Sequence, residues 1–190
     1  SVTASLNAYG TSPQGAYVVG ITNGVPVTSV AATLANPTLV SSSPVSQYVV
    51  GGTTFGIATY KLATAVSGTQ AIVRELRFRS TGLDAIESIT VAGVTASVIS
   101  GGVTTISGLS IPIASSGTAV PVMVKFSGFQ NSTTGGSLQT GIANVGITLS
   151  YVEAISGGGS VLTNSTSVAS PVVTLVGSKP TVTTSTEKGN

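Results

Sequence analysis

The 190-residue sequence contains no cysteine and no histidine, and only 6% of its residues are charged. A typical soluble domain carries about 25% charged residues. Without histidine and cysteine, the chain lacks the commonest general base, the thiolate nucleophile and the usual transition-metal ligands. We therefore expect no enzyme activity and no cofactor. The lack of cysteine also excludes a disulfide framework.

Hydroxyl groups and glycine take the place of charge. Serine and threonine together number 56, beside 24 glycines, while 41% of the residues are apolar and the mean hydropathy is +0.50. This composition predicts a folded core, because disorder requires low hydrophobicity and high net charge. A net charge of +2 leaves little repulsion between copies, so we expect self-association. The same charge is too small for a nucleic-acid partner.

The sequence predicts no transmembrane segment. Ser, Thr, Gly or Pro interrupts every apolar run before the ~18 residues that a membrane helix requires. The chain begins at Ser1 without a charged and then apolar leader, which is typical of a secreted protein whose signal peptide has been removed. We therefore expect an extracellular location at the cell surface.

Short runs rich in Val, Ile and Thr, punctuated by Gly and Pro, predict an all-β fold. Nine strand candidates follow Gly51 at the spacing of a two-sheet sandwich. They are Phe55–Ala65, Ala71–Arg79, Ser88–Val91, Val94–Ser100, Val103–Ser107, Ala119–Phe126, Ala143–Val152, Ser160–Thr163 and Ser167–Val176. We predict an N-terminal strand and Pro-punctuated extension over residues 1–50, the sandwich over residues 51–177, and a polar tail over residues 178–190. The run Ser41–Pro44 is the best candidate boundary.

Three local structures are predicted between or beside these strands. Gly101 and Gly102 are expected to turn a two-residue hairpin between the fourth and fifth candidates, because glycine accepts the positive φ of such turns. The run Gly157–Gly159 predicts a second hairpin. A short helical turn is expected over Leu83–Glu87.

Half of the charged side chains lie between Arg74 and Glu87. The alternation of a strand predicts one face with Ile72, Arg74, Leu76 and Phe78, and another with Glu75, Arg77 and Arg79. One interpretation is an edge strand that charge protects against uncontrolled pairing. The other is that Arg74, Arg77 and Arg79 contact a neighbouring subunit or an anionic glycan.

Other motifs are candidate modification or catalytic sites. Asn131-Ser-Thr133 and Asn164-Ser-Thr166 are N-x-[ST] sequons, so we expect covalent glycan on Asn131 or Asn164. Ser185-Thr-Glu-Lys188 matches S-x-x-K, but a β-branched tail does not supply the helix that this motif needs. Asp84 and Glu87 are neighbouring carboxylates without further partners, and we interpret them as solvated turn residues.

The N-terminus predicts a strand with one apolar face, formed by Val2, Ala4, Leu6 and Ala8. The Pro-punctuated residues that follow would let this strand reach a neighbouring copy. Addition to an open sheet edge would satisfy a row of N–H and C=O groups. The resulting head-to-tail interface makes an open filament when its rotation does not close.

In its Ser/Thr/Val/Gly texture, in Gly101-Gly-Val-Thr-Thr-Ile-Ser-Gly108 and in its Val/Thr-rich ends, the chain resembles immunoglobulin-like modules of prokaryotic surface proteins. These include filament subunits, surface-layer proteins and adhesin repeats. The resemblance implies an immunoglobulin-like antiparallel β-sandwich and, for some filaments, a terminal strand that completes the next subunit. The chain lacks the L-P-x-T-G signal of sortase-assembled pilins and the long apolar N-terminal helix of type IV pilins.

The leading hypothesis is a structural subunit of an extracellular filament (pilus) or surface layer, with copies of itself as partner. The alternative is an immunoglobulin-like repeat of a large adhesin that binds a protein or a glycan. A viral capsid or tail protein ranks third, and an enzyme ranks last.

Overall fold

The computed structural model describes residues 8–12, 15–19, 31–40, 45, 47–81, 85–99, 102–128 and 142–177. The strands in these residues are β1 (Ala8–Ser12), β2 (Gly15–Val19), β3 (Thr38–Leu39), β4 (Gln47–Val50), β5 (Thr54–Leu62), β6 (Gln70–Thr81), β7 (Ile86–Val91), β8 (Val94–Ser97), β9 (Val103–Ala114), β10 (Thr118–Phe126), β11 (Ile142–Ser156), β12 (Val161–Asn164), β13 (Val168–Ala169) and β14 (Val173–Val176). The chain divides into two compact units, Ser1–Ala31 and Ala32–Asn190.

The first unit contains an antiparallel hairpin of β1 and β2. Ala8 pairs with Val19 at one end and Ser12 pairs with Gly15 at the other. Ala8, the last apolar residue of the predicted donor strand, is thus the first residue of β1. The other three, Val2, Ala4 and Leu6, lie outside the described residues.

The second unit consists of two packed sheets, which confirms the predicted all-β sandwich. The five-stranded sheet has the order β3-β5-β10-β7-β8. The seven-stranded sheet has the order β4-β14-β11-β6-β9, and β12 and β13 pair with further segments of β11. Within the described residues, only β4 and β14 pair in parallel.

Side-chain alternation builds the core between these sheets. In β10 the buried side chains are Val120, Val122, Val124 and Phe126, with exposed residues between them. Tyr60 of β5 packs on Phe78 of β6 across the sandwich, with ring centroids 6.2 Å apart. Burial raises the pKa of the Tyr60 hydroxyl, an effect that the Leu149 backbone partly offsets. Aromatic contact of this kind adds to the stabilisation that apolar burial provides.

Each of the nine predicted strands has a counterpart, but two are longer than predicted. β9 continues past Ser107 to Ala114, and β11 continues past Val152 to Ser156. The last candidate is divided into β13 and β14 around Ser170 and Pro171. Proline has no backbone N–H to donate to a ladder, and Ser170 instead binds the backbone of Ile147 on β11 through both its amide and its hydroxyl. The hairpin at Gly157–Gly159 is also confirmed, since β11 and β12 pair there and Gly159 has a φ of 82°.

The predicted hairpin at Gly101 and Gly102 is wrong. β8 pairs with β7 in the five-stranded sheet, whereas β9 pairs with β6 in the seven-stranded sheet, so the two arms belong to different sheets. The hairpin turn lies one strand earlier, at Ala92 and Gly93, whose φ values are 48° and 82°. Two successive positive φ values are typical of a type I′ turn.

Residues 32–50 belong with the sandwich and not with an N-terminal extension. β3 pairs with β5 and β4 pairs with β14, so this stretch adds one strand to each sheet. The division of the chain at Ala31 and Ala32 therefore differs from the boundary predicted at residue 50. Strands of two and four residues are too short for alternation to reveal them. Residues 41–44 lie outside the described residues.

The predicted helical turn does not extend over Ile86 and Glu87, which belong to β7. Ile86 is only 4% exposed, and its packing in the core overrides the local preference for a helical turn. Leu83 and Asp84 lie outside the described residues.

The alternation of β6 changes phase at Arg74, and this corrects the predicted faces of the strand. Val73 is fully buried while Ile72 is 38% exposed, yet farther along Leu76 and Phe78 face the core. Two successive residues of β11 pair with Val73 and Glu75 of β6, so β6 has one more residue than β11 at this point. That extra residue, Arg74, forms a β-bulge. Ile72 and Arg74 therefore do not share a face with Leu76 and Phe78.

The turn between β7 and β8 yields a stability prediction. Ala92 holds a left-handed conformation that costs an L-residue roughly 1–2 kcal/mol, whereas Asn-Gly is a preferred sequence for type I′ turns. Ala92→Asn should therefore stabilise the chain by about 0.5–1 kcal/mol. Urea unfolding measures the change, with Ala119→Asn at an exposed position of β10 as the matched control. A lower midpoint for Ala92→Asn than for the wild type would contradict the turn assignment.

Candidate binding face on the seven-stranded sheet

The outer face of the seven-stranded sheet arranges side chains in rows across neighbouring strands. Paired residues of adjacent strands point to the same side of a sheet. The first row is apolar and consists of Val161, Ile155, Ile72 and Pro112. The second row consists of Thr163, Glu153, Glu75 and Ser107. The third consists of Tyr151, Arg77 and Thr105. The face thus changes from apolar to charged along the strands.

The charged side chains form a connected group on β6 and β11. Arg77 Nε donates a hydrogen bond to Glu75 Oε1 over 2.6 Å. The guanidinium carbon of Arg77 lies 4.3 Å from the centroid of the Tyr151 ring, in a cation–π contact. Tyr151 in turn donates its hydroxyl hydrogen to Glu153 Oε2 over 3.1 Å. Each group therefore orients the next one.

These contacts hold the charges of the group in place. The hydrogen bond to Glu75 raises the pKa of Arg77 above its ordinary value. Partial desolvation raises the pKa of the Tyr151 hydroxyl, and its hydrogen bond to Glu153 adds to that effect. Arg77 therefore stays cationic and Tyr151 stays neutral at physiological pH. Because water screens exposed charges, the group contributes little to stability, and its ordered arrangement is better suited to recognition.

The three arginines predicted as subunit contacts all lie on β6, in different surroundings. Arg77 belongs to the charged group, Arg79 is exposed, and Arg74 donates from Nη1 to the Leu109 carbonyl over 3.3 Å. β6 lies between β11 and β9, so the alternative interpretation as an edge strand is wrong. Sequence alone could not reveal this, because the partners of β6 are distant in the chain.

A pocket of about 390 Å³ adjoins the apolar row. Ile72, Arg74, Pro112 and Ile155 contribute to its walls. Sequence analysis missed this pocket because regular alternation would place Ile72 in the core. Gly108, directly after the predicted strand Val103–Ser107, has a φ of 76° and lies inside β9, in the segment that bulges opposite Arg74. Such an interior glycine is the one available signal of a bulge.

Of the two predicted glycan acceptors, Asn131 lies outside the described residues. Asn164, at the end of β12, donates from Nδ2 to Asn36 Oδ1 over 3.0 Å and to the Ala35 carbonyl over 3.4 Å. Thr166 donates its hydroxyl hydrogen to the same Asn36 oxygen over 2.9 Å. The sequon therefore joins the seven-stranded sheet to the segment that leads into β3 of the other sheet. No sequence signal pointed to Asn36.

Of the candidate catalytic residues, the described part of the chain contains only Glu87. Glu87 forms an ion pair with Lys125 over 2.7 Å, and both side chains are about half exposed. Asp84, Ser185 and Lys188 lie outside the described residues. Among the residues with described structure, no three acidic, histidine or cysteine side chains cluster as metal ligands would. No helix found there is long and apolar enough to cross a membrane.

The hydrogen bonds of Asn36 yield a second stability prediction. Asn36→Ala removes the acceptor of two hydrogen bonds and should lower the free energy of unfolding by about 1–2 kcal/mol. Asn36→Asp keeps an acceptor oxygen and should retain most of that stability. Urea unfolding of both variants measures the difference. Equal midpoints for Asn36→Ala and the wild type would remove this link from the account of the fold.

Comparison of the chain with known protein families, curated proteins and solved structures found no match. Its function is therefore inferred from its residues and their geometry.

Proposed function

We propose that this chain is a structural subunit of an extracellular filament or surface layer, and that copies assemble by β-strand addition. The proposal treats the sandwich as immunoglobulin-like and the N-terminal strand as the donated element. Its partner is a second copy of the same chain.

The observation that supports the proposal most is the open edge of the seven-stranded sheet at β4. In the described part of the chain, β4 pairs with β14 alone, so the backbone groups on its other side have no strand partner. Val45 just before it is 75% exposed, and Tyr48 within it is 65% exposed. An edge strand with exposed apolar side chains is a template for pairing with another chain.

The opposite edge of the same sheet carries the protection that β4 lacks. β9 contains Pro112, which has no N–H to offer, and a bulge at Gly108 interrupts its pairing surface. Near the start of β9, the Ile99 amide donates a hydrogen bond to the Thr104 hydroxyl. Of the two ends of the strand path from β4 to β9, β4 is the one without these features, and this asymmetry suits head-to-tail addition at β4.

The N-terminal unit supplies an element that could be donated. Residues Ser1–Ala31 form a compact unit of their own, with the β1–β2 hairpin inside it. β1 pairs with β2 on one side only in the described residues, so its other side remains available for a ladder. Burial of Val2, Ala4, Leu6 and Ala8 in a neighbour would contribute several kcal/mol, at about 25 cal/mol per Å² of apolar area.

Three companion proposals follow from composition. The chain acts at the cell surface, it carries glycan on Asn131 or Asn164, and it has no enzyme activity. Glycan would help to keep a surface with so few charges hydrated. The absence of histidine and cysteine supports the last of the three.

The outer face of the seven-stranded sheet favours a second candidate function, an adhesin repeat. Arg77 and Tyr151 form an ordered cation–π pair on an accessible surface, and arginine and tyrosine are enriched where proteins bind one another. In this case the partner is a different protein or a glycan.

A single substitution tests strand donation. Leu6→Asp would place a carboxylate on the apolar face of the donated strand, where assembly would bury it at a large desolvation cost, and should prevent assembly. Ser5→Asp, on the opposite face of the same predicted strand, is the matched control and should leave assembly intact. Sedimentation and negative-stain microscopy measure the assemblies.

Two results would oppose the proposal. If Leu6→Asp assembles as the wild type does, the N-terminal strand is not the donated element. If the wild type stays monomeric at high concentration, the adhesin function becomes the better proposal.

A further inference from the structure

Gln70, Ile72 and Arg74 of β6 all line the pocket beside the apolar row. Along the strand, Gln70 comes before Ile72 and Arg74 comes after it. At about 3.3 Å per residue, this part of β6 spans roughly 13 Å. Ile155 of β11 and Pro112 of β9 flank Ile72 on either side. The pocket thus has an apolar middle and a polar group at each end.

The Arg74 guanidinium has no acidic partner in the described part of the chain. In the described residues, the Arg74 side chain donates one hydrogen bond, from Nη1 to the Leu109 carbonyl, and the other guanidinium N–H groups are left for a ligand. In the described residues its side chain forms no ion pair, because Glu75 pairs with Arg77 and Glu87 pairs with Lys125. A guanidinium fixed through one N–H presents the remaining N–H groups to a carboxylate.

The positions of Ile72 and Arg74 in the pocket favour an extended ligand. Ile72 and Arg74 are two residues apart and line the same pocket. An extended peptide also places residues i and i+2 on one side. A segment that lies along β6 with an apolar residue over Ile72 would therefore place the residue two positions away over Arg74.

We infer that this pocket binds an extended peptide segment of a partner protein, with the sequence apolar-x-acidic. The apolar side chain packs between Ile72, Ile155 and Pro112, and the carboxylate pairs with Arg74. The inference does not depend on filament assembly and survives if the N-terminal strand is not donated.

The polar end of the pocket favours a peptide over a simple aliphatic acid. Gln70 and Ser156 line that end, where a peptide backbone offers donors and acceptors and a hydrocarbon chain offers none. The pocket is also open, since Ile72 is 38% exposed and Gln70 and Pro112 are exposed as well. Sites for small ligands usually enclose most of the ligand, whereas an open surface suits a segment of a larger partner.

Fluorescence anisotropy with two labelled peptides tests the inference on the full chain. One peptide contains Thr-Val-Thr-Glu-Thr, and the other has Gln in place of Glu, with both ends blocked. The wild type should bind the Glu peptide about tenfold more tightly than the Gln peptide, as a charge-assisted pair predicts. In Arg74→Gln this ratio should fall to about one.

Matched variants separate binding from folding. Arg79→Gln removes an exposed arginine of the same strand and should leave the ratio unchanged. Ile155→Thr should weaken both peptides while keeping their ratio, and it keeps the test valid if Arg74→Gln fails to fold. Thermal unfolding of each variant reports on its fold.

Several outcomes would overturn the inference. Equal affinity of the wild type for both peptides, or no binding at millimolar concentration, excludes the acidic recognition. Arg74-dependent binding of octanoate without binding of either peptide assigns the pocket to aliphatic acids. Self-association that Arg74→Gln abolishes, and that neither peptide inhibits, assigns it to a second copy.

Discussion

The seven-stranded sheet depends on a change in which side chains face the core, and this change occurs within each of the neighbouring strands β11, β6 and β9. In β6 the buried side chains pass from odd positions, such as Val73, to even positions, such as Leu76. β9 and β11 change phase as well, at Gly108–Ser110 and at Ser150. A one-residue slip in any single strand would turn its apolar side chains toward water. The bulges in neighbouring strands therefore have to occur together, and they allow one long sheet to stay packed on its shorter partner.

The same change of phase creates the outer face. It turns Ile72 outward, beside Ile155 and Pro112, and it places Arg74 at the end of the pocket. Of the chain's seven basic and five acidic residues, five lie on the neighbouring strands β6 and β11 of this sheet. They are Arg74, Glu75, Arg77, Arg79 and Glu153. Bulges are often found where a strand has to re-aim side chains for function.

The sequence was sufficient for the fold class and for most strands, because β-branched residues and alternation report directly on a half-buried strand. It was not sufficient where a strand pairs with a segment that is distant in the chain. The strands on either side of Gly101 and Gly102 have similar sequences, yet β8 pairs with β7 and β9 pairs with β6. The residues of the turn do not determine which of these pairings forms. Regular alternation also misplaced Ile72, since a bulge leaves only a weak signal in sequence. The link between Asn36 and Asn164 joins residues 128 positions apart, which no local pattern reveals.

The bulge at Arg74 turns Ile72 outward and Val73 inward. Methyl NMR with a water-soluble paramagnetic probe tests it directly in dilute solution. The account predicts strong broadening of the Ile72 and Ile155 methyl signals, and protection of those of Val73 and Leu76. Protection of Ile72 together with broadening of Val73 would show unbroken alternation through β6 and would contradict the account.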